Sequence, residues 1–376
     1  MISIYTWNIN SIRNKIDNVN SLLNDHNIDI LVVTETKIQK KNEADVLDKI
    51  DNKYICIFNS NTTSFWHGIA IIYKKNIFKN VKVLNTTLPT SSKYKDEPDN
   101  SKNNHIIKKI SKEQLDIETK KAHITEGRIL VVKYTLYTPV DWNFDGCCSL
   151  DVNNNCRCDT ACDNGTKCDD NCKCGMRENR NPDTCCSQDL NNNCRCSDKC
   201  LSIVSKYADS SSNYSNNENK EIVVVGTYCP NSGVKRDDPL LRLAYRTIRW
   251  DVDLYSLLTE LRNEYKNVIW TGDLNVASKD NDMSNKYYNI AGTTPEERNN
   301  FNNFISTYNW IDTWDILNTK KEKIIDRVTY GVGKTCQLRI DYVICSKELL
   351  DNIVSSDILL KIDGSDHVPI GTTFKF

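Results

Sequence analysis

Short apolar runs of strand length alternate along the chain with segments whose apolar residues recur at helical spacing. The runs are rich in Ile, Val and aromatic residues, which favour a pleated, partly buried surface. They lie at residues 2–7, 28–34, 68–73, 129–137, 221–228 and 268–270. Helical spacing from Ile12 to Leu23, and from Leu241 to Tyr255 after Pro239, predicts two amphipathic helices. The alternation predicts a mixed α/β chain.

Polar residues follow several of these runs at the point where the predicted strand ends. Val268–Trp270 leads into the sequence GDLN at 272–275, which puts a carboxylate and a carboxamide two positions apart just past a strand. Gly, Asp and Asn are also ordinary turn residues, so one such end carries little weight. Similar polar ends follow the strands that finish near Asn8, Glu35 and Tyr228. Together these ends indicate ion or phosphate chemistry.

The motifs at these positions, in their order and spacing, resemble those of the endonuclease/exonuclease/phosphatase superfamily. They are TWN at 6–8, ETK at 35–37, EGR at 126–128, YCPN at 228–231, GDLN at 272–275, AGTTPEER at 291–298, RID at 339–341 and GSDHVP at 364–369. AGTTPEER resembles a segment of the exonuclease III branch, the apurinic/apyrimidinic (AP) endonucleases. The resemblance implies a four-layered α/β sandwich, with two mixed β-sheets flanked by helices. The catalytic domain would comprise residues 1–137 and 221–376.

The resemblance also implies a divalent metal ion, Mg²⁺ with Mn²⁺ as an alternative. Phosphodiester cleavage needs a cation that polarises the phosphate, and hard cations prefer oxygen ligands. Glu35, at the end of a predicted strand, is the first candidate ligand; the competing interpretation is a surface Glu beside Lys37. By resemblance, Asn8 and Asp366 complete the metal set.

Five further residues match catalytic positions of the family. Hydrolysis requires a water to lose a proton while charge on the phosphate is stabilised. By resemblance, Asp273 aligns or deprotonates the water, Asn275 holds it, and Tyr228 donates its phenol to the phosphate. His367 polarises the phosphate, and Asp341 would fix its tautomer. Whether Asp273 or His367 is the general base stays open.

Contacts with phosphates and DNA are expected from local loops, because the chain has 49 Lys and Arg against 50 Asp and Glu. By resemblance Asn10 and Asn231 lie at phosphate-binding turns. Three basic residues are candidate contacts to the DNA phosphate backbone: Lys37, which follows Glu35, and Lys235 and Arg236, which follow Asn231. The competing interpretation is that these charges are simply solvated.

One segment departs from the AP endonuclease pattern. Members of that branch usually clamp the flipped-out abasic sugar with aromatic residues before the RLD or RID motif. Here Arg327 and Val328 stand where aromatics are expected, while Tyr330 is retained. Loss of those rings weakens stacking on a flipped-out group, so substrate preference is open.

Two segments interrupt the alternation of strands and helices. Residues 86–122 are polar and turn-rich, which predicts a solvated loop insertion. Residues 138–220 separate two strands that we expect to pair as a hairpin, and a hairpin tip tolerates an insertion because loop-closure entropy grows slowly with length.

The second insertion contains an internal repeat of cysteines. Thirteen of the 17 cysteines lie in it: Cys147, Cys148, Cys156, Cys158, Cys162, Cys168, Cys172, Cys174, Cys185, Cys186, Cys194, Cys196 and Cys200. The segment has too few apolar residues for a core of its own. Thiolate-bound Zn²⁺ is the favoured staple in a reducing compartment; disulfides and an unstructured low-complexity tract are the alternatives. The formal charge of residues 141–200, with 11 Asp and Glu against 7 Lys and Arg, argues against a DNA clamp.

Our first hypothesis is a Mg²⁺-dependent AP endonuclease of base excision repair that cleaves duplex DNA 5′ to an abasic site, with 3′-exonuclease or 3′-phosphodiesterase activity as an addition. One alternative is a related phosphodiesterase for RNA or phosphorylated lipid head groups. Another is a non-catalytic, zinc-dependent interaction protein. The absence of an apolar leader and of a run long enough to span a membrane predicts a soluble, intracellular protein without a signal peptide. We expect a monomer.

Overall fold

The computed structural model describes residues 1–62, 64–90, 110–136, 221–233, 239–284 and 290–376. In these residues twelve strands form two six-stranded sheets. No helix among them is long and apolar enough to cross a membrane.

The first sheet has the strand order β11-β12-β1-β2-β4-β3. Its strands are β1 (Ile2–Asn8), β2 (Ile30–Thr34), β3 (Tyr54–Asn59), β4 (Ile69–Lys74), β11 (Ile353–Ile358) and β12 (Ile370–Phe374). β1 and β2 pair in parallel at the centre, and the other pairs are antiparallel. Every residue of β2 is buried, as expected for a strand covered on both faces.

The second sheet has the strand order β5-β6-β7-β8-β10-β9. Its strands are β5 (Phe78–Asn85), β6 (Ile129–Leu136), β7 (Glu221–Tyr228), β8 (Val268–Asp273), β9 (Trp310–Asp312) and β10 (Asp341–Ser346). β6 and β7 form the antiparallel pair expected from the sequence, and β7 and β8 are parallel. Each sheet therefore has a parallel pair at its centre.

Eight α-helices occur in the described residues. They are α1 (Ile16–Asp25), α2 (Glu43–Leu47), α3 (Lys112–Ile124), α4 (Pro239–Tyr245), α5 (Asp251–Glu264), α6 (Pro295–Thr307), α7 (Thr313–Leu317) and α8 (Ile324–Arg327). A π-helical stretch, Arg246–Trp250, joins α4 to α5. The long helix after Pro239 is thus confirmed, with one widened turn.

The two sheets pack face to face between two outer layers of helices. On the outer face of the first sheet, α1 buries Ile16, Val19 and Leu23 in one core cluster. On the outer face of the second sheet, α4, α5 and α6 contribute to another. Between the sheets, a Cβ added to Gly226 would come within 3.0 Å of Val32 and Ile69, so the sheets approach closely there. The predicted four-layered α/β sandwich is confirmed.

The expectation of a polar loop over residues 86–122 is wrong for its last part. Helix α3 occupies Lys112–Ile124 and begins with a capping box in which Ser111 and Gln114 bond each other's backbone groups. Its buried face includes Leu115 and Ala122, which join the core cluster of the second sheet. The helix needs few apolar residues of its own because neighbouring helices supply the rest of the core that it packs against.

The first predicted helix also differs from its expectation. Ile12 was expected to lie inside it, but α1 begins at Ile16. Asn10 and Ser11 have left-handed backbone angles, with φ of 49° and 89°, which is incompatible with a helix passing through them. The residues before α1 form a loop that passes the candidate site instead.

The described residues of the two sheets and their helices, apart from Leu136 at the end of β6, belong to one compact unit, Met1–Thr135 with Glu221–Phe376. Residues 137–220, with all thirteen cysteines of the repeat, lie outside the described residues. Zinc, disulfide and unstructured alternatives for that segment therefore stay predictions.

Candidate active site

The polar residues predicted at the strand ends meet at one edge of the sandwich. In the second sheet Tyr228, Asp273 and Asp341 lie side by side across β7, β8 and β10. In the first sheet Asn8 ends β1, and Glu35 directly follows the end of β2. Parallel neighbours end at the same edge of a sheet, and β10 runs antiparallel to β8, so its first residue lies beside the last residue of β8.

Asn8 connects the two sheets through its side-chain amide. Its Nδ2 donates to Asp273 Oδ2 at 2.9 Å and to Glu35 Oε1 at 3.2 Å. The Tyr228 hydroxyl donates to the same Glu35 oxygen at 2.6 Å. Tyr228, Glu35, Asn8 and Asp273 therefore form one continuous hydrogen-bonded array across the sandwich.

Glu35 is held in its charged form. Burial alone would raise its pKa, but hydrogen bonds from Lys37, Tyr228 and Asn8, together with the charge of Lys37, lower the pKa to about 2. Lys37 Nζ lies 2.7 Å from Glu35 Oε2. Glu35 also has a left-handed φ of 53°. This backbone conformation is unfavourable for a residue other than glycine and persists only where the surrounding structure enforces it.

The residues predicted to hold a metal are brought together around Asn8 and Glu35. Asp366 joins them through Asn10, whose Nδ2 donates to Asp366 Oδ1 at 3.2 Å and whose Oδ1 accepts from Lys37 at 2.5 Å. Carboxylate and amide oxygens are the donors that a hard divalent cation takes. An ionised, partly buried Glu35 fits such an ion, because a charge held away from bulk water attracts a cation strongly.

His367 pairs with Asp341, as predicted. His367 Nδ1 lies 2.7 Å from Asp341 Oδ2, and its Nε2 lies 4.0 Å from Asp273 Oδ2. Burial lowers the pKa of His367, but Asp341, followed by Asp273 and Asp366, raises it to about 9. Arg339, two residues before Asp341, pairs with Asp282 and Asp312.

Asp273 has the opposite perturbation to Glu35. Burial, followed by the charge of Asp341, raises its pKa to about 7, although His367 and Asn8 lower it. Asp273, Asp341 and His367 also bring ligand atoms within 4.8 Å of one another, a second arrangement that could hold a metal. The site therefore has a strongly acidic carboxylate, Glu35, and a carboxylate that binds protons near neutrality, Asp273.

The two predicted amides lie on neighbouring loops next to the array. Asn275 Nδ2 donates to the Cys229 carbonyl at 2.9 Å, and Asn231 Nδ2 donates to Asn275 Oδ1 at 3.3 Å. Asn275 has a left-handed φ of 49°. Of the other predicted phosphate contacts, Lys235 and Arg236 lie outside the described residues.

Buried Arg246 fastens the two loops that carry these amides. From the π-helical stretch its guanidinium donates to the Pro230 carbonyl at 3.2 Å and to the Leu274 carbonyl at 3.0 Å, and it pairs with Asp251 at 2.8 Å. A π-helical turn often marks a functional position in a helix. In the sequence, Arg246 stands out only as a basic residue on a predicted amphipathic helix.

A second network, centred on Arg128, contacts the backbone carbonyl and the ring of Tyr228. Arg128 donates to the Tyr228 carbonyl at 3.2 Å, lies 4.8 Å from the ring centroid and pairs with Glu126 at 2.5 Å. His67 Nδ1 lies 2.9 Å from Arg128 Nη2. The EGR motif marks Glu126 and Arg128 in the sequence, but no local pattern marks His67, because its partners are distant in sequence.

Relatives match the chain over about two fifths of its length. A DNA-(apurinic or apyrimidinic site) endonuclease of Dictyostelium discoideum is 39% identical over 160 residues, which are 41% of this chain and 43% of the relative. An exodeoxyribonuclease of Bacillus subtilis (strain 168) is 32% identical over 160 residues, 41% of this chain and 60% of the relative. The chain thus spans about half the length of these relatives.

Solved structures show the same fold. The crystal structure of AP endonuclease LMAP from Leishmania major aligns with all of this chain and 88% of that chain, with a TM-score of 0.61 and 17% identity. Over the aligned part, the chain is similar to AP endonucleases and exodeoxyribonucleases. No family profile matches the sequence.

The segment before the RID motif lacks the aromatic residues that the AP endonuclease pattern predicts. Arg327 is buried and shares Asp282 with Arg339, at 2.7 Å in each case. Val328 is fully buried. Neither residue therefore offers a surface on which a sugar or base can stack, and Tyr330, whose ring lies 5.0 Å from the His367 ring, is the aromatic residue that remains.

Proposed function

We propose that the chain is a Mg²⁺-dependent AP endonuclease that hydrolyses duplex DNA on the 5′ side of an abasic site and leaves a 3′-hydroxyl. The observation that carries the proposal is the continuous array from Tyr228 through Glu35 and Asn8 to Asp273, with the His367–Asp341 pair beside it. The name of the Dictyostelium relative supports the substrate.

Glu35, Asn8 and Asp366 would hold the ion, which supplies Lewis-acid polarisation of the phosphate. His367 is charged at neutral pH because its pKa is about 9, so it donates a hydrogen bond to a phosphate oxygen. Burial and Glu35 raise the pKa of Tyr228 well above 10, so its phenol also remains a proton donor.

Asp273 is our assignment for the general base. A base works best when its pKa lies near the working pH, and the pKa of Asp273 is about 7, whereas that of Glu35 is about 2. Asp273 would take a proton from the attacking water as the new oxygen–phosphorus bond forms. The bond between phosphorus and the 3′-oxygen of the preceding nucleotide would break, and that oxygen would take a proton from solvent to become the 3′-hydroxyl. Protonated His367 cannot accept that proton.

A second candidate function is processing of DNA 3′ ends, as a 3′-exonuclease or 3′-phosphodiesterase. Buried Arg327 and Val328 favour it, because a site without those rings has less stacking selection for a flipped-out sugar. The name of the Bacillus relative, an exodeoxyribonuclease, points the same way.

The test compares three DNA substrates of one sequence with Mg²⁺: a duplex with a single tetrahydrofuran abasic analogue, an intact duplex and a recessed 3′ end. Glu35→Gln and His367→Asn are expected to lower cleavage at least about a hundredfold. Asp280→Asn, at an exposed acidic position, is the control that should cut normally.

Rapid cutting at the abasic analogue supports the first function, and faster loss of 3′ nucleotides supports the second. Equal cutting by the wild type and the Glu35→Gln protein would refute the proposed metal site. Cutting of RNA but not DNA would replace both functions.

A further inference from the structure

Two adjacent aromatic residues project into solvent next to the candidate site. The exposed fraction of Trp66 is 64% and that of Phe65 is 44%, whereas every other described tryptophan is at most 3% exposed. Exposed large rings cost free energy in water, and they are enriched where a partner covers them. The mechanism above uses neither residue.

Each ring lies over a cation that belongs to the site or its margin. The Arg13 guanidinium is 4.4 Å from the Phe65 ring centroid, and Lys37 Nζ is 5.5 Å from that of Trp66. Lys37 also pairs with Glu35, and Arg13 donates to the Lys37 carbonyl at 2.7 Å. The two rings therefore contact basic side chains, one of which, Lys37, pairs with the proposed metal ligand Glu35.

The loop that carries the rings is fixed relative to Glu35. The Lys37 amide donates to the His67 carbonyl at 2.8 Å, and the Thr36 amide donates to the Gly68 carbonyl at 3.2 Å. A Cβ added to Gly68 would lie 2.3 Å from Thr36 Oγ1, so only glycine permits this approach. The rings consequently keep a set distance from the reacting centre.

We propose that Phe65 and Trp66 form a stacking platform for an unpaired nucleotide base of the DNA strand that is cut. Bases stack on aromatic side chains without regard to sequence, and neighbouring cations bind the backbone on either side. Paired bases in a duplex already stack on each other and do not offer a free face. The substrate class is thus DNA with unpaired nucleotides close to the scissile phosphate, such as frayed or single-stranded 3′ ends.

This inference rests on the proposed function for its ligand, DNA, and it complements the loss of rings at Arg327 and Val328. Arg327 and Val328 offer no stacking surface for a flipped-out sugar, whereas Phe65 and Trp66 would provide one for a neighbouring base. Charge alone would favour any polyanion, whereas the exposed rings favour one with accessible bases.

The test measures binding of the full chain to a single-stranded tail on a duplex and to the blunt duplex of the same sequence, without added Mg²⁺. Fluorescence anisotropy gives the dissociation constants, and gels check that the DNA stays intact. Trp66→Ala is expected to weaken binding to the tailed DNA about 5- to 150-fold and binding to the blunt duplex less than about threefold. Tyr308→Ala, a change of an exposed ring that packs on Phe304, is the matched control.

Salt dependence separates stacking from phosphate contacts. Arg13→Ala should lower the slope of log affinity against log salt by about one, and Trp66→Ala should leave that slope unchanged. Equal losses on tailed and blunt DNA, or no loss, would overturn the platform. Because this assay needs no cleavage, wild-type protein that binds tails through Trp66 but never cuts DNA would refute the proposed function and leave the platform standing.

Discussion

Asp341 is expected to control the charge of His367, and Asp341→Asn tests this with little change of shape. The two side chains meet at 2.7 Å, and Asp341 is itself positioned by the Thr329 hydroxyl, which accepts from its backbone amide. The rise in the pKa of His367 from 6.5 to about 9 corresponds to about 3 kcal/mol, and after the opposing effect of burial Asp341 is its largest cause.

We therefore expect Asp341→Asn to return the pKa of His367 toward 6.5 and to lower cleavage of the abasic duplex about 10²- to 10⁴-fold at neutral pH. In the wild type, His367 stays protonated up to about pH 9. The variant loses that proton as pH rises through 6.5, so its deficit should grow between those values.

The pairing of His367 with Asp341 also makes the stability of the fold depend on pH. A histidine whose folded pKa is raised stabilises the fold fully below its unfolded pKa of 6.5, and this contribution is lost as pH rises through about 9. Asp341→Asn should consequently reduce the free energy of unfolding more at pH 6 than at pH 10.

NMR titration of the imidazole signals in metal-free protein measures the pKa directly, and the His367→Asn protein identifies the signal. Asp280→Asn is the control for a carboxylate that is exposed and away from His367. A wild-type His367 that titrates near 6.5, or an Asp341→Asn protein that cuts within about threefold of wild type, would refute this reasoning.

Three other predictions concern metal, stability and zinc. Glu35→Gln should weaken Mn²⁺ binding, followed by electron paramagnetic resonance, at least about tenfold because a charged oxygen ligand is lost; unchanged affinity would contradict the metal assignment. Asp282→Asn should lower the free energy of unfolding in urea by about 3–5 kcal/mol, because Asp282 neutralises the buried guanidinium groups of Arg327 and Arg339, whereas Asp280→Asn should cost less than about 0.5 kcal/mol. Elemental analysis of the reduced full chain should find about three zinc ions, and deletion of residues 138–220 should remove them; zinc-free, monodisperse protein would contradict zinc binding.

The sequence predicted best those features that depend on short-range pattern. The strands β2 and β8 appear as apolar runs because both of their faces are buried, and each run stops where a polar residue must reach the edge of the sheet. The position of Asp273 and Glu35 just past those runs followed from that rule. Their meeting through Asn8 required the pairing order of the strands, which the family resemblance implied and the local pattern did not.

Features that depend on contacts distant in sequence were missed. Helix α3 has a polar composition and is stabilised by packing of Leu115 and Ala122 on neighbouring helices, although its capping box at Ser111 and Gln114 was visible. Arg327 stands where the pattern predicts an aromatic residue, while its partner Asp282 lies 45 positions earlier in the chain. The pattern of apolar and polar residues along the chain cannot predict an ion pair such as Arg327–Asp282.

The left-handed backbone at Glu35, Lys37 and Asn275 limits how this protein can be made more heat-resistant. Each such residue costs on the order of 1–3 kcal/mol, and glycine would relieve that cost at any of them. Glycine would also delete the carboxylate, amine or amide that the conformation presents. Laboratory selection for thermal tolerance alone would drift toward glycine at these strand ends, and selection that also demands catalysis would have to find its gains in the outer helices.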